Sequence, residues 1–275
     1  MSQHPALRYL RSDAGGKPHT WCPGCGIGQI FHYTVKAIDL LGLDSNSVVW
    51  VGGAGCSARM CTYWAYDFMH TLHGRPLAFA TGLKVSKPEL KVIVHTGDGD
   101  AAAIGGNHLI QTARRNVELL TICLNNYTYG MTGGQFSPTT PVGAKTMTSP
   151  QGSLERSFDL CQLVAVSGAS YVARWTTAHP QACIQAIKKG LTHSGFSFVE
   201  IVSQCPTQYG RSNRLGDGVA MLNWMKANSV KVTKAAGYSD DELAGKIIVG
   251  EFVDRERADY GAVLRGLAER SGETE

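Results

Sequence analysis

KVIVHTGDGD (residues 91–100) decides how this chain is read. A short apolar run, Val92-Ile93-Val94, passes within three residues into Gly97-Asp98-Gly99-Asp100. That is the pattern of a buried strand ending in a turn. Downstream, Ala101 to Arg115 has helical periodicity, and ELLTICLNN (118–126) is a second strand ending in polar residues. Upstream, SVVWVGG (47–53) is a strand that runs into glycines, and IGQIFHYTVKAIDLL (27–41) before it repeats its apolar residues at helical spacing. SFDLCQLVAVSG (157–168), YVARW (171–175) and HPQACIQAIKKGL (179–191) continue as helix, strand and helix. FSFVEIVSQC (196–205) closes the series as a strand.

Strands alternating with helices predict an α/β fold, an open and mostly parallel sheet with helices on both faces. Residues 1–210 are expected to form this domain. After Pro206 the pattern weakens. A helix over 219–227 and an amphipathic one over 254–270 predict a C-terminal arm, residues 211–275, packed on the body or on a partner.

Composition narrows the function. The chain has 275 residues, 43% of them hydrophobic, enough to bury a substantial core. Only 17% are charged, which points to a large subunit interface. Net charge is +4 without a Lys/Arg block, so nucleic acid binding is not expected, while a mild positive field suits an acidic protein partner. The first twenty residues contain no apolar core of a leader, and no stretch approaches membrane-spanning length. A cytoplasmic protein is expected. Its eight Cys are then metal ligands, reactive thiols or small buried residues rather than disulfides.

In parallel sheets, ligands bind beyond the carboxyl ends of the strands. Gly52–Ser57, Gly97–Asp100 and Asn125-Asn126 all fall there. The glycines around Asp98 let a phosphate come close, and a helix beginning near Ala101 aims free N–H groups at it. A hard cation bridging a diphosphate takes carboxylate and neutral oxygens, which Asp98, the Asn126 side chain and a nearby carbonyl would supply. Gly-Asp-Gly alone is often only a turn and Asn-Asn only a loop. Their pairing at successive strand ends favours a site.

Trp21-Cys22-Pro23-Gly24-Cys25-Gly26 offers two thiolates to one metal centre. Cys56 and Cys205, both just past strand ends, are the expected remaining pair. Cys123 lies in a strand, and Cys161 and Cys183 lie on helices, so these three are expected in the core. Cys61, five after Cys56, is ambiguous. A redox thiol pair or a structural zinc site also explains a lone CxxC. Four Cys on the edge that carries the diphosphate site favour an iron–sulfur cluster.

WCPGCG (21–26), GCS (55–57), HGR (73–75), GDGD (97–100), GGNH (105–108) and NNYTYGMTGGQ (125–135) together resemble the β subunit of 2-oxoacid:ferredoxin oxidoreductases over roughly residues 20–210. WCPGCG looks more like the 2-oxoglutarate or broad-range branch than the pyruvate branch. The resemblance implies thiamine diphosphate held by Gly55, Cys56, Ser57, His73, Gly97, Asp98, Gly99, Asp100, Asn126, Thr128, Gly130 and Met131. It implies Mg²⁺ on Asp98, Asn126 and the Thr128 carbonyl, and a [4Fe–4S] cluster on Cys22, Cys25, Cys56 and Cys205. His73 would stand beside the diphosphate and Met131 would shape the substrate's side-chain pocket. Arg59 would grip the substrate carboxylate; the family frequently has Lys there. The implied reaction is CoA-dependent oxidative decarboxylation of a 2-oxo acid, with electrons passing through the cluster to ferredoxin, and reductive carboxylation in reverse. An α subunit in an (αβ)₂ assembly is implied as well. Two other functions fit part of the residues: a non-redox thiamine decarboxylase or carboligase, which leaves the edge Cys idle, and a zinc-stabilised binding module, which leaves the Gly/Asp/Asn strand ends unexplained.

Overall fold

The computed structural model describes residues 5–11 and 19–272; most of residues 1–20, read above for a leader, lie outside them. In chain order the helices are α1 (Ile27–Leu41), α2 (Arg59–Tyr63), α3 (Pro76–Ser86), α4 (Gly106–Arg115), α5 (Leu160–Ser167), α6 (Pro180–Thr192), α7 (Gly218–Ala227), α8 (Val232–Ala235), α9 (Asp240–Leu243) and α10 (Tyr260–Ser271). The strands are β1 (Val48–Gly52), β2 (Phe68–His70), β3 (Lys91–Gly97), β4 (Leu119–Asn125), β5 (Tyr171–Thr176), β6 (Phe196–Val202), β7 (Ser229–Lys231) and β8 (Ile247–Asp254). All eight join one sheet in the order β2-β1-β3-β4-β6-β5-β8-β7. Among these described strands, the β5–β8 pair alone is antiparallel.

The central strands are covered on both faces, which is why they read as unbroken apolar runs. β1, β4 and β6 are buried at every position. Alternation along each strand divides the core in two. Val49, Val51, Val92 and Val94 pack under α3, α4 and α5. Trp50, Ile93, Leu120 and Ile122 pack under α1, α2 and α6. α1 meets the sheet through Ile27, Ile30, Phe31, Thr34, Val35 and Ile38, a spacing of three and four that keeps one face inward. Gly42 ends it in the left-handed conformation, its N–H bonded to the Asp39 carbonyl (3.1 Å).

The α/β expectation holds, with local differences. The helix predicted over 101–115 is divided. Asp100–Ile104 forms a π-helical turn, Gly105 breaks it, and α4 follows. A Cβ on Gly105 would run into the Asp100 carbonyl, so the break depends on glycine. Such π turns are frequent at functional sites. The helix predicted from residue 254 begins at Tyr260, because Asp254 still belongs to β8. β2, α2, α3, β7, α8, α9 and β8 are additions to the predicted elements. Residues after 210 supply α7 to α10, β7 and β8, and β8 lies against β5. No described helix is long and apolar enough to cross a membrane.

Candidate active site

β1, β3 and β4 run parallel as neighbours, so their carboxyl ends bring three loops together. Between the loops lies a cavity of about 350 Å³. Gly55, Cys56, Ser57, His73, Gly97, Asp98, Gly99, Asp100, Asn126, Thr128, Gly130 and Met131 all line it. Ala54, from the Gly52–Ser57 strand end, and Ile27, Leu124, Tyr129 and Thr132, not among the expected site residues, complete the wall. Two glycines are required here. A Cβ on Gly99 would strike the Tyr129 ring, and Gly55 sits at φ +92° facing open space.

Asp98 is buried at the floor. Its Oδ2 accepts hydrogen bonds from the hydroxyls of Ser137 (2.5 Å) and Thr139 (2.7 Å). Burial still pushes the carboxyl up to about 6, because desolvation of the anion outweighs those donors. The buried side-chain oxygen of Asn126 has no hydrogen-bond partner among the described residues. An unpaired buried acceptor costs ~1–3 kcal/mol. An orphaned amide oxygen and a carboxylate disfavoured as an anion are a donor set that a divalent cation satisfies. Thr128 uses its hydroxyl on the Gln135 carbonyl (2.7 Å), so any bond to a cation falls to its main-chain oxygen.

Asp100 works backward from the cavity. It accepts from the Thr96 hydroxyl (2.8 Å) and the Gly74 N–H (2.6 Å), and stands 2.7 Å from His73 Nδ1. It therefore clamps the loop His73-Gly74-Arg75 and fixes the imidazole, leaving Nε2 as the nitrogen free of that bond.

The four edge cysteines share one neighbourhood. Cys56 and Cys205 flank Gly130, where a Cβ would stand 3.9 and 3.8 Å from their sulfurs. The CxxC loop is tied in from both sides: the Trp21 indole donates to the Cys56 carbonyl (2.9 Å), and the Gly26 N–H donates to the Gln204 carbonyl (3.1 Å). Burial pushes the Cys25 thiol up to about 12 and the Cys56 thiol to about 11; neighbouring cysteines of the quartet add to each. Among the described residues, no three His, Cys, Asp or Glu side chains stand close enough to hold a metal ion as they are. A four-iron cube takes a thiolate at each corner, so its ligands stand further apart than those around a single ion. The quartet converges in that looser sense.

The other cysteines are buried. Cys161 donates to Glu200 (3.3 Å) and Cys183 to the Thr176 carbonyl (3.4 Å). Cys61 packs where a Cβ on Gly52 would be. Arg59 opens α2 and is exposed. It lies outside the cavity wall but near enough to pull the Cys56 thiol down, and no ion pair among the described residues engages it. Ser137 and Thr139, the donors to Asp98, were missed in the sequence. The available signal was the hydroxyl run Ser137-Pro138-Thr139-Thr140 after two glycines.

Comparison with known proteins agrees with this geometry. Residues 46–201 match the family described as "Thiamine pyrophosphate enzyme, C-terminal TPP binding domain". The chain is 51% identical to the 2-oxoglutarate synthase subunit KorB of Methanocaldococcus jannaschii over 97% of this chain and 98% of that one. It is 41% identical to a 2-oxoacid:ferredoxin oxidoreductase subunit beta of Saccharolobus solfataricus, over 68% of this chain and 62% of that one. A solved structure of 2-oxoglutarate:ferredoxin oxidoreductase from Magnetococcus marinus, with 2-oxoglutarate, coenzyme A and succinyl-CoA bound, superposes with a TM-score of 0.86 at 32% identity, covering 99% of this chain and 92% of that one. A thiamine pyrophosphate-binding family model over more than half of the chain, and a subunit alike almost end to end, identify the chain as a member of the 2-oxoacid:ferredoxin oxidoreductase β-subunit family.

Proposed function

We propose that this subunit serves a CoA-dependent 2-oxoglutarate:ferredoxin oxidoreductase. It would convert 2-oxoglutarate and CoA to succinyl-CoA and CO₂, passing two electrons one at a time through a [4Fe–4S] cluster to ferredoxin, and would run in reverse as a reductive carboxylase. The observation that carries the substrate is the near full-length likeness to a subunit named for 2-oxoglutarate. Thiamine diphosphate, when bound, supplies the electron sink that lets a 2-oxo acid lose CO₂.

In this reading Asp98, the Asn126 side-chain oxygen and the Thr128 carbonyl hold Mg²⁺ against the diphosphate. The orphaned Asn126 oxygen beside the buried Asp98 supports it. Gly55, Cys56, Ser57, Gly97, Gly99 and Gly130 form the close-fitting wall, and His73, steadied by Asp100, faces the diphosphate. Cys22, Cys25, Cys56 and Cys205 take the cluster, and Gly130 keeps the cofactor near it. Arg59 reaches the substrate carboxylate from the rim with its planar fork, and Met131 adapts to the longer side chain of the substrate. Thiamine needs a second domain over its aminopyrimidine, so the subunit pairs with an α subunit as (αβ)₂. Body and arm divide near residue 210, with β8 of the arm laid on the body's β5. Eight free thiols suit a cytoplasmic setting.

The test is the αβ complex purified anaerobically and assayed with CoA, ferredoxin and either 2-oxoglutarate or pyruvate. We expect a brown, reducible protein that prefers 2-oxoglutarate. Preference for pyruvate overturns the substrate, and a colourless protein that releases CO₂ without an electron acceptor overturns the redox reading.

A further inference from the structure

Behind the cation site lies a buried carboxylate with no part in the reading above. Glu200 stands mid-way along β6, 1% exposed, in register with Cys123 of β4 and Arg174 of β5. Its Oε2 accepts from Arg174 Nε (2.7 Å) and from the Cys161 thiol (3.3 Å). Arg174 turns its outer nitrogens to Asp159, the N-cap of α5 (2.6 and 3.4 Å). A buried ion pair of this kind is weak evidence for stability, because desolvation offsets the attraction. The remaining oxygen of Glu200 explains more.

Glu200 Oε1 accepts from Asn125 Nδ2 (2.7 Å). An anion only accepts, so the amide nitrogen of Asn125 must face it. That turns Asn125 Oδ1 the other way, onto the Tyr127 N–H (3.1 Å) and the Thr139 hydroxyl (3.0 Å). Both contacts end at the cation site. Tyr127 is held at φ +62°, a left-handed conformation that costs a bulky residue energy, between Asn126 and Thr128. Thr139 shares its single hydroxyl hydrogen between Asn125 Oδ1 and Asp98 Oδ2, the latter at 2.7 Å.

We infer that Glu200 is a positioning residue for the cation site. It sets the orientation of the Asn125 amide, and through it the left-handed turn that presents Asn126 and the Thr128 carbonyl. The side chain does not line the cavity and so touches neither cofactor nor substrate. The inference rests on the proposed Mg²⁺–thiamine diphosphate site for the identity of the ion.

The test uses the assembled αβ complex, stripped of cofactor and titrated with Mg²⁺ at fixed thiamine diphosphate, with binding followed by protein fluorescence. Glu200→Gln preserves shape but offers its NH₂ to Asn125 if its oxygen keeps Arg174. Two donors then meet, the Asn125 amide turns over, and the Tyr127 N–H loses its acceptor. We expect the Mg²⁺ needed for half-saturation to rise about 10–100-fold, the usual effect of losing a supporting partner behind a metal ligand. Iron and sulfide content should stay at the wild-type level.

The double variant Glu200→Gln, Asn125→Asp reverses the hydrogen bond and keeps the charge count. The amide at 200 donates to a carboxylate at 125, which again accepts from Tyr127 and Thr139. It should recover most of the lost affinity. A residue serving only the fold would not be rescued in this way. Wild-type Mg²⁺ affinity in Glu200→Gln, or a double variant no better than the single, overturns the inference. If Glu200→Gln does not fold, Asn125→Ala removes the same acceptor while sparing the Glu200–Arg174 pair. It should show the same rise, and wild-type affinity there overturns the inference equally. A wild-type complex whose thiamine diphosphate binding ignores Mg²⁺ would instead defeat the functional reading itself.

Discussion

The two halves of this site are prepared to different degrees. Around Asp98 the protein itself provides partners: two hydroxyl donors and a strained turn tied by Asn125. Around the cysteines it ties the backbone, through the Trp21 indole on the Cys56 carbonyl and the Gly26 N–H on the Gln204 carbonyl, and brings four thiols together. The difference follows from charge. Neutral hydroxyls and amides can be bonded into place with no ion present, whereas four thiolates would repel one another. Burial keeps Cys25 and Cys56 protonated, with thiols at about 12 and about 11. Metal insertion must therefore release protons on this side, while on the other it only completes a bonded frame.

The contrast breaks first at Asp98. Asp98→Ala should weaken Mg²⁺-dependent thiamine diphosphate binding beyond the roughly 100-fold expected for an outer partner, with iron and sulfide unaltered. Cofactor affinity equal to the wild type would remove Asp98 from the metal. The mirror experiment is Cys205→Ala, which should strip or degrade the cluster and its visible absorption and leave thiamine diphosphate binding within a few-fold of wild type. Cys161→Ala, a core thiol, is the control and should keep its iron. A full complement of four irons and four sulfides in Cys205→Ala would exclude the ligand set.

Arg59 sharpens the comparison from the rim. Losing a charge-assisted contact to a carboxylate costs ~1.5–3 kcal/mol. Arg59→Ala should accordingly lower kcat/KM by roughly one to two orders of magnitude, sparing both metal groups. An unchanged kcat/KM for every 2-oxo acid would confine Arg59 to the surface.

The remaining effect is in stability. Burial raises the Asp98 carboxyl to about 6 from an ordinary 3.8. Between those values the folded, metal-free chain holds a proton that the unfolded chain releases. The group's contribution is therefore fully present below about pH 4 and lost as pH rises through about 6. At pH 7.5 without Mg²⁺, Asp98→Asn should stabilise the complex by at most about 3 kcal/mol. The gain should vanish below pH 4 and reverse with saturating Mg²⁺ and cofactor. Denaturation midpoints decide it, and an Asn variant less stable than wild type at pH 7.5 without Mg²⁺ would contradict the burial argument.

What was legible in the sequence is what is local along the chain. β1, β3, β4, β5 and β6 are apolar runs beside turn residues, and most of the strand-end residues named after β1, β3 and β4 line one cavity. β2 and β7 are three-residue edges with little pattern to read. β8 is only half-buried and meets β5 through a register shift, so its alternation is blurred. Ser137 and Thr139 lie 39 and 41 positions from Asp98, and Glu200 lies 75 from Asn125. Contacts that cross strands leave no periodic trace. Arg59 stands three residues after Cys56, yet α2 begins there and leads it out of the cavity.

The short margins of the sheet have a practical consequence. A long, flat outer strand is a template on which further copies stack into insoluble ribbons. Here both flanks end in strands of three residues, Phe68–His70 and Ser229–Lys231. A chain arriving at either flank finds too few free main-chain groups to grow upon. Fibrous precipitation by strand addition is therefore disfavoured at both ends. Efforts to keep concentrated protein dispersed should look to exposed apolar side chains on its faces, such as Leu154 at 94% and Val166 at 84% exposure, and leave its margins alone.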